Sequence, residues 1–375
     1  MTTTEQELLD QTSCNVDGGH ARATSPIFIL GIAPRCGTNY LHDLIRMHPD
    51  CDSGSSVLEE DHLVANARLL MKYVDGVSRR WNRALGANEL QFEKAALAKG
   101  LGQGLMTFLR DQLERRKQLA GNKGGAGSLR RLVTKTPSVK NLELFSRLFP
   151  ESPLLILVRD GRSVVESSAK TFNHPHGYAA REWARAARII LDFQSQNPGS
   201  KHLLVRYEDL YCNLETELRR IFAYLKLDPA SYDYSAAANL PVRGSSTFRG
   251  QPTSYHVSWV AEGIHWQPVQ KPQSFNPVER WAGWTRAKHE RFNWLAGEPL
   301  ERFGYARKNA PGGRLFWWVW NLMLDLTCVE TATWSWRRVR RRWKSIESAS
   351  DFWAFLRSLK QTMIEAIWER TELGI

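Results

Sequence analysis

Two segments of the sequence share an arrangement that restricts the fold: an apolar strand, a polar turn containing glycine, and then an amphipathic helix. The first segment occupies residues 26–41, with a strand over 27–30, and the second occupies residues 154–168, with a strand over 154–158. Short apolar runs of this kind are typical of buried parallel strands. The helix N-terminus that follows each strand can bind an anion. Two such sites on one sheet predict a nucleotide ligand with phosphate groups at two separate ends.

The turn of the first segment has the composition of a phosphate-binding loop. We expect the backbone amides of residues 36–39 to face the anion, with the Arg35 guanidinium supplying charge and the Thr38 and Asn39 side chains supplying further donors. The turn lacks the lysine of a Walker A loop, so an ordinary strand-to-helix turn is the alternative. Cys36, beside Arg35 at the helix N-terminus, is either a reactive thiol with a lowered pKa or a packed one.

The second segment contains an arginine and a serine whose side chains can reach the same point. Arg159 ends the strand, and Ser167 lies eight residues later, two turns into the following helix. Both side chains can therefore converge on one phosphate. The alternative is a buried structural pair between Arg159 and the adjacent Asp160.

Taken together, these motifs resemble those of the sulfotransferases that use 3′-phosphoadenosine-5′-phosphosulfate (PAPS). In that family a turn close to Arg/Lys-Ser-Gly-Thr-Thr/Ser binds the 5′-phosphosulfate, and residues 35–39 match it, with Cys36 and Asn39 replacing the usual hydroxyls. The family binds the 3′-phosphate through an arginine and a serine eight positions apart, matched by Arg159 and Ser167. A third element, Tyr-Glu-Asp-Leu, is matched from Tyr207 onward, and its tyrosine lies near the adenine. The resemblance implies these donor-binding residues: Arg35, Cys36, Gly37, Thr38, Asn39, Tyr40, Arg159, Ser167 and Tyr207.

Within the family, the branch of tyrosylprotein sulfotransferases and related bacterial enzymes is closest in motif. Its His-Pro, Glu-Glu and Lys-x-Pro elements are matched at residues 48–49, 59–60 and 135–137. The resemblance implies Glu60 as the catalytic base, with His62 as the second candidate. A solvated acidic turn is the alternative for Glu60.

Sulfuryl transfer also needs cations at the oxygens that gain charge. Arg35 and Lys135 are the candidates, and a solvated surface lysine is the alternative for Lys135. The scheme requires no metal, and the histidines and cysteines show no zinc-site spacing.

A basic, glycine-bounded loop over residues 241–250 supplies further candidates for donor binding. Family members often close the nucleotide site with a late loop of this kind. Arg243, Ser245 and Ser246 are therefore candidate ligands, and a surface loop without ligands is the alternative.

The expected fold is α/β: a P-loop-like three-layer fold with a central parallel sheet flanked by helices, plus a helical C-terminal extension. We expect a polar N-terminus over residues 1–24, a sulfotransferase domain over 25–305 with a helical insertion at 62–120, and a basic, tryptophan-rich helical extension over 306–375. The N-terminus has no apolar core, and the five cysteines have no paired spacing. These features indicate a cytoplasmic location.

The C-terminal extension concentrates charge and tryptophan. Residues 306–344 contain nine Lys/Arg and two acids, and thus +7 of the formal +12, together with six of the fifteen tryptophans. Its apolar run over 315–326 is shorter than the about 20 residues that a membrane span needs. The pattern suits a peripheral helix at an anionic membrane surface, and packing on the main domain or in a homodimer is the alternative. Nucleic acid is disfavoured, because no nucleic-acid fold motif accompanies the basic cluster.

The predicted function is transfer of a sulfuryl group from PAPS to an acceptor hydroxyl, with adenosine 3′,5′-bisphosphate (PAP) as product. The candidate acceptors are a glycan, a lipid-linked sugar, a small molecule and tyrosine. The sequence does not choose among them, because variable loops build acceptor pockets. Two alternatives stay open: a kinase-like phosphotransferase, and a non-catalytic protein that binds a nucleotide or a membrane surface.

Overall fold

A computed structural model of the chain describes residues 25–53, 60–119, 130–198, 202–245, 268–273, 275–308 and 313–327. Five strands of the described residues form one parallel sheet. They are β1 (Ile27–Gly31), β2 (Cys51–Ser53), β3 (Arg131–Thr136), β4 (Leu154–Val158) and β5 (His202–Arg206). Their order across the sheet is β2-β3-β1-β4-β5.

The centre of the sheet is apolar and its edges are less so. All residues of β1 and β4 are buried, as expected for parallel strands that are covered on both faces. The register pairs Ile29 with Lys135 on one side and with Leu155 on the other. The carboxyl ends of β3, β1 and β4 therefore lie side by side. In open α/β sheets, ligands bind at this edge, where the strand order reverses.

Helices connect and flank the strands, which confirms the predicted α/β fold with a central parallel sheet. The α-helices of the described residues are α1 (Thr38–Arg46), α2 (Ala67–Ser78), α3 (Ala87–Leu119), α4 (Phe145–Leu148), α5 (Gly161–Phe172), α6 (His176–Gln196), α7 (Tyr207–Cys212), α8 (Leu214–Leu225), α9 (Tyr234–Ala238), α10 (Arg286–Arg302) and α11 (Arg314–Thr327). Short 3₁₀ helices lie at Val64–Asn66, Trp81–Arg83, Leu142–Leu144 and Pro229–Ser231. The segment between β2 and β3 is largely helical, as the apolar periodicity predicts.

The turn from β4 into α5 is fixed by tight packing against α6 and α10. A Cβ atom on Gly161 would come within 2.6 Å of the Trp183 ring and 2.7 Å of the Phe292 ring, so only glycine fits there. The fully buried Trp183 also donates from Nε1 to the carbonyl oxygen of Arg159, at 3.2 Å. The helical layer therefore holds the backbone of Arg159, the residue that ends β4.

The helix α11 confirms the predicted helical pattern in the tail. It contacts the main body through Asp325, whose carboxylate accepts from Arg181 of α6 at 2.9 Å and from Arg291 of α10 at 2.7 Å. Among the described residues, none of the helices combines the length and the apolar character that crossing a membrane requires.

Candidate active site

The first turn is tight and lies at the carboxyl end of β1, against the ring of Tyr207. Gly37 immediately precedes α1 and has φ of 103°, and a Cβ atom there would lie 2.5 Å from the Tyr207 ring. Glycine is therefore required both by the left-handed backbone and by the close approach of the ring. Thr38 is buried at the first position of α1. Arg35 also has positive φ, 75°, which bends the turn before the helix.

Two guanidinium groups contact the serine of the second motif, and a third lies beside them. Arg35 donates from Nε to Ser167 Oγ at 3.3 Å, and Arg280 donates to the same oxygen from Nη1 at 3.3 Å. Arg159 donates from Nη1 to the backbone oxygen of Arg35 at 2.8 Å, and from Nη2 to that of Pro277. We call Arg35, Arg159 and Arg280 the arginine cluster. Its formation links β1, β4 and the segment before α10 at one point.

The arginine cluster is an electrostatically positive site. The pKa of Arg35 is lowered to about 10, first by loss of hydration and then by the charges of Arg280 and Arg159. The pKa of Arg280 is also lowered to about 10, by loss of hydration and by Arg159. In addition, Arg159 Nε is buried and has no hydrogen-bond partner. A bound anion would relieve the repulsion and could satisfy this donor.

Tyr207 joins the first turn to the arginine cluster. Its ring covers Gly37, and the Arg159 guanidinium lies over the ring at 4.4 Å from the centroid. The ring of Tyr40 lies 5.9 Å from that of Tyr207. The next residue, Glu208, accepts from the backbone nitrogen of Asp160 at 3.0 Å. The third sequence motif therefore contacts both of the others.

A second group of candidates meets at the carboxyl end of β3. Lys135 is fully buried along its side chain, donates from Nζ to Asn39 Oδ1, and lies 3.7 Å from Glu60 Oε1. The other carboxylate oxygen of Glu60 lies 3.5 Å from His62 Nε2. Glu60 and His62 are both partly exposed, so an incoming hydroxyl could reach the carboxylate. The solvated-surface alternative for Lys135 is wrong, because the structure buries this side chain in the sheet.

Asp61 holds the Glu60 segment against β3. Its carboxylate accepts from Thr134 Oγ1 at 2.5 Å and from the backbone nitrogen of Leu63 at 2.7 Å. The backbone nitrogen of His62 donates to Thr136 Oγ1 at 3.0 Å. Loss of hydration raises the pKa of Asp61, although the hydrogen bonds from Thr134 and Leu63 oppose this shift. The sequence motif gave Asp61 no role, since its side-chain partner Thr134 lies 73 residues away.

Of the candidates in the late basic loop, Ser245 contacts the arginine cluster and Arg243 has a different partner. Ser245 is buried and accepts from Arg280 Nη2 at 3.5 Å, at the margin of hydrogen-bond distance. Arg243 instead forms a two-point ion pair with Asp43, with Nη2 2.7 Å from Oδ1. This pair lowers the pKa of Asp43 well below its usual range, although burial opposes the shift. Ser246 lies outside the described residues.

Comparison with known proteins shows the family of the chain. A model described as "Sulfotransferase family" matches residues 26–231, more than half of the chain. The chain belongs to the sulfotransferase family. The resemblance inferred from the motifs is thereby confirmed, as is the expectation of a sulfotransferase enzyme.

Similar proteins include two animal relatives of this sulfotransferase. Protein-tyrosine sulfotransferase A of Caenorhabditis elegans is 26% identical over 225 residues, which cover 58% of this chain and 53% of that protein. The chain thus spans about half the length of that relative. Protein-tyrosine sulfotransferase 1 of Danio rerio is 24% identical over 289 residues, 75% of this chain and 72% of that protein. Among solved structures, the sulfotransferase domain of the Synechococcus PCC 7002 olefin synthase aligns over 75% of this chain and 95% of its own, at 20% identity and a TM-score of 0.44.

Two sequence-based alternatives are corrected by the structure of this sulfotransferase. Asp160 does not pair with Arg159: it caps α5 and forms its ion pair with Arg162, at 2.7 Å. Asp160 therefore does not neutralise Arg159, which remains part of the arginine cluster. Cys36 is fully buried, and this burial raises the pKa of its thiol to about 11. The hypothesis of a reactive Cys36 is therefore wrong, and the packed alternative holds.

We predict that Cys212 reacts with iodoacetamide much faster than Cys36 or Cys51 in the folded sulfotransferase. Burial raises the pKa of Cys36 to about 11 and that of Cys51 to about 12, whereas Cys212 is exposed. At pH 8 only about a thousandth of the Cys36 thiol would be the reactive thiolate. Peptide mass mapping over time measures the three rates, and denatured protein provides the control. Labelling of Cys36 as fast as that of Cys212 would contradict the packed environment.

The residue that sequence reasoning missed is Arg280. It contacts Ser167 and Ser245 but lies in an irregular segment before α10, 113 residues from Ser167. No short motif marks it. The described residues contain no group of three or more His, Cys, Asp or Glu side chains arranged to hold a metal ion.

Proposed function

We propose that this sulfotransferase transfers a sulfuryl group from PAPS to a hydroxyl-bearing acceptor. The observation that carries the proposal is the arginine cluster on Ser167, with the unpartnered Nε atom of Arg159 inside it. A phosphate dianion is the chemical group that best matches several guanidiniums and a hydroxyl at one point. The family of the chain accounts for the reaction type, and the cluster supports a donor with a phosphate remote from the reacting end.

The residues on the edge of the sheet fit the two ends of such a donor. Arg159, Arg280 and Ser167 would hold the 3′-phosphate, with Ser245 beside them. The turn over residues 35–39 would hold the 5′-phosphosulfate, and Tyr207 would lie near the adenine. Arg35 would lie between the two ends, because its Nε contacts Ser167 while the nearby charge of Glu60 partly opposes the lowering of the Arg35 pKa.

The second group of side chains supports proton removal at the acceptor. When bound, PAPS supplies an activated sulfuryl group. Glu60 would accept the proton of the acceptor hydroxyl. Its carboxylate lies between the His62 ring, at 3.5 Å, and the Lys135 ammonium group, at 3.7 Å. Lys135, which Asn39 orients, would stabilise negative charge on the oxygens of the leaving group.

A tyrosyl hydroxyl is the first acceptor to test. The relatives in Caenorhabditis elegans and Danio rerio carry the name protein-tyrosine sulfotransferase. A phenol also requires less assistance from a base than an alkyl alcohol, because its pKa is about 10. Glycans, lipid-linked sugars and small-molecule alcohols complete the acceptor panel.

Titration calorimetry with PAP and with ATP, each with and without Mg²⁺, tests the donor assignment. We expect PAP to bind tightly in both conditions and ATP to bind weakly. Preference for Mg-ATP would instead indicate a phosphotransferase, and absence of binding by either nucleotide would contradict a donor site. Incubation with ³⁵S-labelled PAPS and the acceptor panel then tests transfer. PAP binding without transfer to any member of the panel would overturn the choice of acceptors while leaving the donor site supported.

A further inference from the structure

The helix α11 carries its large apolar side chains outward. Leu315 is 75% exposed, Phe316 is 59% exposed and Trp320 is 49% exposed, and Val319 is exposed beside them. These four residues, which we call the aromatic stripe, follow helical spacing and lie on one face of α11. The rings of Phe316 and Trp320 are stacked, with centroids 6.2 Å apart. Contiguous exposed apolar surface of this kind marks an interaction site.

The face of α11 toward the main body combines the polar Asn321 and Asp325 with the half-buried Leu324, which lines a cavity with Ala180 and Phe292. Asn321 is buried near Arg291, whose Nη1 lies 3.4 Å from Asn321 Oδ1. One turn later, Asp325 accepts from Arg291, Arg181 and the Trp294 indole nitrogen, the last at 2.8 Å. A surface helix normally buries its apolar face and exposes its polar face. In α11 the exposed face is instead strongly apolar, and three donors from α6 and α10 hold Asp325 against the main body.

Positive charge lies near the N-terminal end of α11. Arg286, Lys308 and Arg314 are exposed near the N-terminus of α11, and the Arg286 guanidinium lies 5.6 Å from the Trp317 ring centroid. Between Arg314 and Asp325 the helix has no charged residue, and Asp325 lies on the face that contacts the main body. Farther along the sequence, residues 337–344 contain six Lys/Arg and no acid.

We propose that α11 lies flat on an anionic membrane surface, with the aromatic stripe in the boundary between headgroups and acyl chains. A helix of 14 residues is about 21 Å long, so it suits the interface and not a span. Aromatic side chains enter that boundary favourably. The cations near the N-terminal end of α11 contact anionic headgroups.

A second copy of the chain is a poorer occupant than a membrane. A twofold dimer with parallel α11 helices would bring Arg286 and Arg314 of both copies toward one another, because the same patch meets itself. In an antiparallel dimer these cations would meet the other end of the helix, where Asp325 is already bound by Arg181 and Arg291. Like charges that face each other oppose association. Anionic lipid headgroups neutralise the same residues. The proposal concerns where the enzyme works and does not depend on its donor or acceptor.

Vesicle co-sedimentation of the full chain tests the membrane surface. We expect binding to vesicles of phosphatidylcholine mixed with phosphatidylglycerol, weaker binding to phosphatidylcholine alone, and loss of affinity as salt increases. The double substitution Phe316→Ser and Trp320→Ser should lower the partition coefficient by about tenfold or more, from the apolar area removed. The matched control is Leu69→Ser with Phe92→Ser, since these side chains are 65% and 72% exposed on α2 and α3. This control should bind as the unmodified chain does.

Two further measurements distinguish membrane contact from misfolding of the variant and from self-association. Bromine-labelled acyl chains should quench tryptophan fluorescence of the unmodified chain, and Trp320→Phe should bind equally while reducing the quenching. Sedimentation velocity reports the oligomeric state. Absence of vesicle binding by the unmodified chain, equal binding by the Phe316/Trp320 variant, or a dimer that dissociates in that variant would each overturn the proposal. A variant that only loses thermal stability, with vesicle binding unchanged, would show that the stripe is covered within the chain, and would also overturn it.

Discussion

Replacing Glu60 with glutamine should lower the turnover of sulfuryl transfer about 10²- to 10⁴-fold and leave PAP affinity nearly unchanged. Glutamine keeps the size of the side chain but cannot accept the proton of an acceptor hydroxyl. The carboxylate it replaces lies 3.7 Å from Lys135 Nζ and 3.5 Å from His62 Nε2, apart from the arginine cluster that we assign to the 3′-phosphate. Initial rates with ³⁵S-labelled PAPS measure the loss, and calorimetry with PAP measures the affinity.

Two variants separate the role of Glu60 from a general loss of charge. Glu93→Gln makes the same chemical change at an exposed position of α3 and should have no effect. His62→Ala removes the second candidate base and should cost less than Glu60→Gln, because in this scheme His62 only contacts the base. A large loss in His62→Ala together with full activity in Glu60→Gln would transfer the role of base to His62.

The parts of the fold that were predictable from sequence are those specified by contiguous residues. The strands β1 and β4 are fully apolar because helices cover both faces of the sheet, and that continuous pattern is visible in the sequence. By contrast, β2 has three residues, of which two are polar, and it pairs only with β3 at the edge of the sheet. Its existence depends on a neighbour 80 residues away, so no local pattern predicts it.

The site shows the same division between local and distant determinants. Arg159 and Ser167 were predictable because one strand and one helix fix their spacing. Arg280 was not, because an irregular segment far along the chain brings it to Ser167. Arg243 carries the right charge for a phosphate, yet Asp43 on α1 engages it in an ion pair. Charge alone does not determine which partner an arginine takes.

The sequence also did not predict which face of α11 contacts the main body. Its apolar run predicts a helix, but the direction of each face depends on the arginines of α6 and α10 that bind Asp325. Because a half-buried carboxylate gains from such partners, these contacts hold Asp325 toward the main body and leave the aromatic stripe outward. A pattern of hydrophobicity would have predicted the opposite face for burial.

Replacing Arg159 with glutamine should weaken PAP binding about 10- to 100-fold, the loss expected for hydrogen bonds to a charged group. The guanidinium is held in place before any donor arrives: it donates to the backbone oxygens of Arg35 and Pro277 and lies over the Tyr207 ring. Little ordering is therefore required when the phosphate binds, and most of the interaction appears as affinity. Calorimetry with PAP measures the change, and Arg188→Gln at an exposed position of α6 supplies the matched control.

Comparison of PAP with adenosine 5′-monophosphate distinguishes a phosphate ligand from a structural arginine. Arg159 also supports the backbone of the first turn, so its loss could disturb the whole site. Ser167→Ala makes a smaller change, removing the hydroxyl that Arg35 and Arg280 contact at 3.3 Å. If these residues hold the 3′-phosphate, both variants lose affinity for PAP and retain that for the monophosphate, which lacks this group. Equal losses for the two nucleotides would show that Arg159 and Ser167 act by shaping the turn, and the assignment of the 3′-phosphate to the arginine cluster would then be wrong.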